Sequence, residues 1–193
     1  GDTDVDILAI SADRIYVIAN PGTASFTAAD WTIGEMSYDA RTGFTGLPGG
    51  SCVAAADFDA DGDIDVVGGT VGTTAYVVYY DNDGVGSFTR SEIAITDPTC
   101  VGSVGIEVDD FTGDGRPDMF VSTDRAYRGG AAEARIWFLR NLGVSGGQVD
   151  WLFRCLNACT SPTPYPYDID MATPLDYDHD NDVDTVTADA NHP

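Results

Sequence analysis

An acidic segment that leads directly into an apolar run occurs three times in this chain of 193 residues, and it constrains the fold more than any other feature. The three copies are DFDADGDIDVV at 57–67, DFTGDGRPDMFV at 110–121 and DYDHDNDVDTVT at 176–187. A partial fourth copy, GDTDVDILAI, opens the sequence and aligns best when Asp6 takes the place of the last aspartate in the other copies. Self-similarity at a regular spacing is the signature of a repeat architecture, in which one supersecondary unit recurs along the chain.

A second signature follows the acidic segments. YVIANPGTASFT (16–27) and VVYYDNDGVGSFT (77–89) share Asn-x-Gly and a later Phe-Thr, and IWFLRNLGVSGGQVDW (136–151) keeps Asn141 and Gly143. β-Branched and aromatic residues alternate before these turns, which is typical of strands, and Asn and Gly readily adopt the positive φ that hairpin turns need. Each repeat is therefore predicted to run strand, acidic loop, strand, hairpin, strand, turn, strand.

The repeat length predicts an all-β fold. Asp6, Asp65, Asp118 and Asp184 are separated by 59, 53 and 66 residues, which suits four-stranded antiparallel blades of β-propeller type. About three blades and a partial one are expected, with the acidic loops between the first and second strands. The predicted division of this single repeat domain (1–193) is an incomplete three-stranded blade at 1–50, a blade at 51–99, a blade with a Pro-rich connector at 100–168, and a two-stranded partial blade at 169–193.

Together the two signatures resemble the FG-GAP or VCBS repeat. The resemblance rests on the first acidic segment, which is preceded by VAAA and followed by Asn-x-Gly and Phe-Thr. It extends over nearly the whole chain, with 28–50 and 156–168 as loop-like gaps. It implies calcium-binding blades such as those of integrin α-subunit heads and many bacterial surface proteins.

The spacing of the acidic side chains is that of a calcium loop, in which positions 1, 3 and 5 supply side-chain oxygens, position 7 its backbone carbonyl, and position 6 a sharp turn. The predicted ligands are Asp57, Asp59, Asp61, Asp63 and Asp65 in the first acidic loop, Asp110, Thr112, Asp114, Arg116 and Asp118 in the second, and Asp176, Asp178, Asp180, Asp182 and Asp184 in the third. The seventh residue of each loop contributes its carbonyl alone, and the ninth-position aspartate closes the shell that a glutamate closes in an EF-hand. Gly62 and Gly115 provide the turn, and Asn181 takes that place in the third loop.

A flexible shell of six or more oxygens favours Ca²⁺ over Mg²⁺, so three structural calcium sites are expected. The alternative is a set of Asp-rich hairpin turns whose carboxylates merely cap backbone N–H groups. Recurrence of the same positions in three loops favours the metal. The second loop is the weakest predicted site, because Thr112 replaces a carboxylate there and Arg116 lies inside it.

The composition limits the partners and the compartment. Nine basic residues face 32 acidic ones, and the net charge of −23 would repel nucleic acids and anionic membrane surfaces. No apolar stretch is long enough to span a bilayer, and the chain begins at Gly1, as a processed protein would. Four cysteines without a Cys-x-x-Cys pair argue against zinc and fit an extracellular, secreted protein with disulfides. Cys52–Cys100 and Cys155–Cys159 are preferred among three pairings.

The predicted blades are too few to close a propeller, which needs four or more. The chain is therefore either a fragment of a longer propeller or a subunit whose open strand edges pair with a neighbour. When copies are placed head to tail, Asn191, Asp2 and Asp6 fall at loop positions 1, 5 and 9, which predicts a fourth calcium site at the junction. The alternative is a coincidence in an acidic tail.

The chain is not expected to be an enzyme, because both histidines lie near the C-terminus and no Ser-His-Asp arrangement is indicated. The leading interpretation is an extracellular, calcium-stabilised module with a structural or adhesive role, which self-assembles head to tail or binds another surface protein. The alternatives are a lectin-like carbohydrate binder and an accessory propeller of a larger surface protein or polysaccharide-active enzyme. Trp31, Trp137 and Trp151 are expected to pack between blades, with Trp31 the best candidate for exposure.

Overall fold

The described part of the protein is built entirely from β-strands and their connections. The computed structural model describes residues 5–11, 14–22, 27, 30–35, 52–69, 76–85, 87–95, 101–124, 135–156, 171–175 and 184–188. Thirteen strands and no helix occur in these ranges, so no helix there is long and apolar enough to cross a membrane. The predicted all-β class is confirmed.

The strands form four antiparallel sheets, and within each sheet neighbours in sequence are neighbours in space. The first sheet contains β1 (Ile7–Ser11), β2 (Arg14–Ala19) and β3 (Thr32–Glu35). The second contains β4 (Val53–Ala56), β5 (Asp65–Gly69), β6 (Tyr76–Asn82) and β7 (Phe88–Ala94). The third contains β8 (Val101–Asp109), β9 (Asp118–Asp124), β10 (Arg135–Ser145) and β11 (Gln148–Cys155), and the fourth contains β12 (Met171–Leu175) and β13 (Asp184–Ala188).

The strand register places all three acidic loops at the same point of their sheets. The last aspartate of each loop pairs with the residue just before the loop: Asp65 with Ala56, Asp118 with Asp109, and Asp184 with Leu175. Each loop therefore closes the hairpin between the first and second strands, where the sequence predicted it. In the first sheet, β1 begins just after Asp6 and so corresponds to the second strand of the other sheets.

The second sheet is covered on both faces by its neighbours. Side chains alternate along its strands, so Val66 packs with Ile15 towards the first sheet while Val67 packs with Met119 and Val121 towards the third. The core between the second and third sheets is formed by buried Phe58, Val67, Val77, Tyr79, Ile93, Ile95, Ile106, Met119, Val121 and Leu139. Burial of both faces explains why every residue of β5 is buried, including Asp65.

The sheets follow one another in space as they do in sequence. β1 lies against β4, β8 lies against β4, β5 and β6, and β12 lies against β8 and β9. The first strands of the second, third and fourth sheets therefore contact one another in succession. Trp137 and Trp151 pack, partly buried, against the core between the second and third sheets, as expected for strand aromatics, and Trp31 is half-buried.

One hydrogen-bonded unit is repeated in the first three sheets, and we call it the Asp–Asn bracket. The last aspartate of each acidic segment accepts a bond through Oδ1 from the backbone N–H of the asparagine in Asn-x-Gly. The pairs are Asp6 with Asn20 at 2.8 Å, Asp65 with Asn82 at 2.9 Å, and Asp118 with Asn141 at 2.8 Å. The bracket confirms the alignment of Asp6 with Asp65 and Asp118.

The asparagine side chain completes the bracket. Its Nδ2 donates to the carbonyl of the residue before the aspartate, which is Val5, Ile64 or Pro117, at 3.1, 3.0 and 3.2 Å. Its Oδ1 accepts from the N–H of Gly22, Gly84 or Gly143, at 3.1, 3.1 and 2.8 Å. These glycines have φ of 65°, 70° and 88°, so the positive φ predicted for the Asn-x-Gly turns is confirmed.

The two preferred disulfides each include a cysteine outside the described residues, Cys100 in one and Cys159 in the other. Cys52 lies just before β4, and Cys155 ends β11. Both pairings therefore stay predictions.

The bracket in the third sheet gives the first prediction. Asn141 is fully buried, and its Nδ2 also donates to the Phe58 carbonyl of the first acidic loop at 2.7 Å. We expect Asn141→Ala to lower the free energy of unfolding by about 1–3 kcal/mol, since it leaves the Phe58 and Pro117 carbonyls without this donor. Equilibrium unfolding in denaturant measures the loss.

The matched control is Asn20→Ala, which removes the same side chain from the exposed bracket of the first sheet. There, water replaces the lost bonds, so we expect a smaller decrease in the free energy of unfolding. Equal decreases for the two variants would contradict a stabilising role that depends on burial.

Candidate metal centre

The first acidic loop brings three carboxylates together. One oxygen from each of Asp57, Asp59 and Asp61 lies within 4.8 Å of the other two. Among the described residues, these three side chains are the group of potential ligands placed closely enough to hold a metal ion. The loop connects β4 to β5, so both of its ends are fixed by the strand pair.

Backbone N–H groups hold these carboxylates in place. The N–H of Asp61 donates to Oδ1 of Asp57 at 3.2 Å and to Oδ1 of Asp59 at 3.1 Å. The N–H of Gly62 donates to Oδ2 of Asp57 at 3.1 Å, and that of Asp63 donates to Oδ1 of Asp61 at 2.9 Å. These are the bonds that the backbone-capping interpretation predicts. A carboxylate oxygen has two lone pairs, so each of these oxygens retains one for a cation.

Two residues of the loop have a left-handed backbone. Gly62, at position 6, has a φ of 98°, so the predicted turn glycine is confirmed. Ala60, at position 4, has a φ of 63°, which costs an L-residue about 1–2 kcal/mol relative to glycine. Position 4 of the second loop is Gly113, with a φ of 71°, so both loops have a left-handed residue there that the ligand spacing does not predict.

Like charges make the loop unfavourable without a counter-ion. Two unit charges 4 Å apart repel by about 1 kcal/mol in water and about 4 kcal/mol at an effective dielectric constant of 20. Burial raises the pKa of Asp59, and the neighbouring charges of Asp65, Asp61 and Asp57 raise it further. Within the described residues, no arginine forms an ion pair with the three clustered carboxylates.

The donor set of the first loop fits a hard divalent cation. It offers only oxygens, from Asp57, Asp59 and Asp61 and, by the predicted spacing, from the carbonyl of Asp63. Such a set suits Ca²⁺, which accepts six to eight oxygen ligands in flexible geometry, better than Mg²⁺ with its strict octahedron. The loop residues can therefore hold the calcium ion that the spacing predicts.

Asp65, predicted as the ninth-position ligand, lies outside the cluster of three. It is fully buried, and its Oδ2 accepts bonds from the Phe58 N–H at 3.1 Å and the Tyr79 hydroxyl at 2.8 Å. Its Oδ1 accepts the N–H of Asn82 in the Asp–Asn bracket. Burial raises the pKa of Asp65, while these donors oppose the rise. The described contacts of Asp65 therefore join the start of the loop to β6.

The second acidic loop repeats the backbone arrangement of the first. Asp110 accepts the N–H of Asp114 through Oδ1 at 3.0 Å and the N–H of Gly115 through Oδ2 at 2.7 Å, as Asp57 does for Asp61 and Gly62. Gly115 has a φ of 83°, so its predicted turn is confirmed. Fully buried Asp118 accepts bonds from Asn141 and from the N–H of Thr112, the latter at 3.2 Å.

The charges of the second loop differ from those of the first. Oδ2 of Asp114 contacts Nη2 of Arg116 at 2.6 Å and Nη2 of Arg140 at 3.0 Å. These guanidinium groups, Arg140 above all, lower the pKa of Asp114. Since one predicted ligand is already ion-paired and Thr112 brings no charge, the arrangement does not fit a divalent cation as well as the first loop does.

The remaining predicted ligands are not placed by the structure. Asp176, Asp178, Asp180 and Asp182 of the third loop lie outside the described residues, as do Asp2 and Asn191 of the proposed junction. Asp184 begins β13, and Asp6 accepts the N–H of Asn20. The third calcium site and the junction site stay predictions.

Asp81 is a further charged residue near the first loop that the sequence analysis did not assign. It lies on β6 next to Tyr80, which pairs with Val66, so the register brings Asp81 beside Asp65. Burial raises the pKa of Asp81, and the charges of Asp59, Asp61 and Asp83 raise it further. Asp81 lies outside the repeated acidic segments, so its position beside the first loop follows only from the strand register.

Comparison with known proteins gives one family. The model of the FG-GAP-like repeat matches two overlapping stretches, residues 1–68 and 57–121, which together span more than half of the chain. The resemblance noted in the sequence is thereby confirmed. No curated protein matches the chain.

The raised pKa of Asp81 gives a prediction for the ion-free protein. A carboxyl group whose pKa is raised on folding favours the folded state while it is protonated, and this contribution is lost as the pH rises through the folded-state pKa. In chelator at pH 7, we therefore expect Asp81→Asn to raise Tm, with the difference from wild type shrinking as the pH is lowered towards 3.8, the ordinary pKa of an aspartate. Thermal unfolding over this pH range measures it.

Asp83→Asn is the control, because the N–H groups of Ser87 and Val85 lower the pKa of Asp83. Its charged form is favoured in the folded state, so we expect this variant to gain no stability at pH 7. A lower Tm for Asp81→Asn throughout the pH range would show that the Asp81 charge is not destabilising.

Proposed function

Because the chain belongs to the family of FG-GAP-like repeat proteins, we propose that it is an extracellular, calcium-stabilised repeat module with a structural or adhesive role. The observation that carries the proposal is the convergence of Asp57, Asp59 and Asp61 in the first acidic loop. A bound Ca²⁺ would supply the positive charge that this loop otherwise lacks. Family members often bind calcium and are typically extracellular.

The position of the loop explains why an ion there would be structural. Phe58, inside the loop, is buried and packs edge to face against Tyr79 and Trp151, with ring centroids 5.9 and 5.7 Å apart. The Phe58 carbonyl accepts a bond from Asn141 of the third sheet. An ion that holds the loop therefore also holds the packing between the second and third sheets.

The arrangement of sheets supports blades of β-propeller type. Each full sheet runs up and down in sequence order, and the first strands of successive sheets contact one another, as they do around the axis of a propeller. A propeller ring needs at least four blades, and the described residues form two sheets of four strands, one of three and one of two. The blade division at 1–50, 51–99, 100–168 and 169–193 and head-to-tail self-assembly are part of the proposal.

We assign the module to binding and assembly and not to catalysis. Many of the described carboxylates are clustered in the first loop or engaged by N–H, hydroxyl and guanidinium groups, among them Asp65 and Asp114. Both histidines lie outside the described residues. The net charge of −23 opposes nucleic acid as a partner and leaves other surface proteins, or further copies of the chain, as the expected ones.

Calcium titration tests the proposal directly. A ligand that binds only the folded state at 100 times its Kd stabilises the protein by about 2.7 kcal/mol, so Tm should rise with added Ca²⁺ and fall with chelator. Asp59→Asn should remove one bound calcium per chain and reduce the calcium-dependent rise in Tm. Calorimetric titration and thermal unfolding give the two readouts.

The matched control is Asp150→Asn, the same change at an exposed position of β11. It should leave both the number of bound calcium ions and the calcium-dependent rise in Tm unchanged. The same Tm for the wild type in calcium and in chelator, with no heat of binding, would refute the calcium proposal.

A second candidate, carbohydrate binding, is favoured by a cleft of about 400 Å³ between the second and third sheets. Its lining combines an aromatic ring with hydrogen-bonding side chains, including Trp151, Asp59, Asp81, Thr89, Ser91 and Gln148. Aromatic faces and polar groups of this kind bind sugars in many pockets. The cleft adjoins the first acidic loop through Asp59, so calcium and sugar would bind side by side.

A glycan array with the calcium-loaded protein tests this candidate. Gln148→Ala should abolish the binding of any glycan retained by the wild type, because Gln148 lines the cleft. Gln148 is the exposed first residue of β11, so its loss should leave Tm unchanged. Retention of the same glycans by the variant, or of none by the wild type, would remove the cleft from consideration.

A further inference from the structure

The second acidic loop carries arginines at two places where the first carries aspartates. Arg116 occupies position 7 of the second loop, as Asp63 does in the first. Arg140 directly precedes the bracket residue Asn141, just as Asp81 precedes Asn82. Both replacements reverse the charge, and they occur together at the same loop.

The two replacements make the second loop much less negative than the first. At the compared positions the first loop and its neighbouring strand carry Asp57, Asp59, Asp61, Asp63, Asp65 and Asp81, which are six carboxylates and no basic residue. The second has Asp110, Asp114 and Asp118 together with Arg116 and Arg140, which is three carboxylates and two guanidinium groups. At position 3, the second loop has Thr112 where the first has Asp59. The second site is therefore close to neutral without any ion.

The arginines make contacts of the kind that a bridging ion would make. Both Nη2 atoms approach the same oxygen of Asp114, at 2.6 and 3.0 Å, which are distances of charge-assisted bonds. Nε of Arg116 also donates to the Asn141 carbonyl at 3.1 Å. Since Arg140 and Asn141 belong to β10, the two guanidinium groups join the loop to that strand.

We propose that Arg116 and Arg140 take the place of the cation in the second acidic loop, so that this loop is closed by ion pairs and binds no calcium at concentrations that fill the first loop. A guanidinium group keeps its charge up to very high pH, so the ion pairs close the loop without any added ion wherever Asp114 is ionised. The comparison with the first loop rests on the proposed function, whereas the ion-pair closure does not depend on it.

Asp114→Asn in the full chain tests the proposal with two measurements. Equilibrium dialysis should find the same number of calcium ions per chain as in wild type, while Asp59→Asn loses one. In chelator, Asp114→Asn should lower Tm by about 2–4 °C, since both ion pairs are lost. Loss of one bound calcium in Asp114→Asn, or an unchanged Tm in chelator, would overturn the proposal.

The converse experiment gives the second loop the residues of the first, through Thr112→Asp, Arg116→Asp and Arg140→Asp combined. This variant should bind one more calcium than wild type and should unfold at a lower temperature in chelator. Arg90→Asp, which breaks the Arg90–Glu92 pair on β7, is the control for lost positive charge and should leave the calcium count unchanged. An unchanged calcium count in the folded triple variant would count against the proposal.

These outcomes separate the proposal from the calcium function itself. If wild type and Asp59→Asn both bind no calcium, the proposed function fails, while the decrease in Tm of Asp114→Asn in chelator still decides whether ion pairs close the second loop. If the triple variant does not fold, the two measurements on Asp114→Asn remain decisive.

Discussion

A buried aspartate at the start of the second strand organises the second and third sheets. This residue, Asp65 or Asp118, has no exposed surface, yet its carboxylate accepts bonds from the acidic loop before it and from the asparagine of Asn-x-Gly on the next strand. Burying a carboxylate is costly unless its oxygens are satisfied. The Asp–Asn bracket satisfies them and, in doing so, fixes both the loop and the hairpin turn.

The Asp–Asn bracket holds the acidic side chains of each loop close together, so their negative charges repel one another. The two described loops differ in how this repulsion is offset. The first brings Asp57, Asp59 and Asp61 together without an arginine, and we propose that its charge is balanced by a bound cation. The second has Arg116 and Arg140 on Asp114 and is balanced from within. The two loops thus share one backbone arrangement although their negative charge is offset in different ways. A module with both solutions would depend on calcium at one junction and be independent of it at the next.

Much of the fold could be predicted from the sequence because its signals are local. The acidic loops lie between paired strands, Gly62 and Gly115 have positive φ, and Asp6 aligns with Asp65 and Asp118 as the repeat spacing indicated. Each of these features depends on residues a few positions apart or on a spacing that can be counted. The same is true of the three clustered carboxylates, which follow from alternate positions in a tight turn.

The parts of the site that could not be predicted depend on contacts between distant segments. Arg140 and Asp114 are 26 positions apart and meet only through the register of β9 with β10. The approach of Asp81 to Asp59 and the engagement of Asp65 by Tyr79 likewise need the pairing of β5 with β6. From spacing alone, every aspartate of the first loop is predicted to be a ligand. In the structure, Asp65 is buried and hydrogen-bonded to the strands, whereas Asp57, Asp59 and Asp61 converge on one another.

The bond from Asn141 to the Phe58 carbonyl has a kinetic consequence. Each sheet is made of strands that follow one another along the chain, so pairing within a sheet closes shorter loops than docking between sheets does. The Asn141–Phe58 bond spans 83 positions, and it can form only when two finished sheets dock. Until then Phe58 and the first acidic loop remain open to water. We therefore expect an ordered assembly, in which each sheet forms first and the first acidic loop reaches its final shape when the sheets dock.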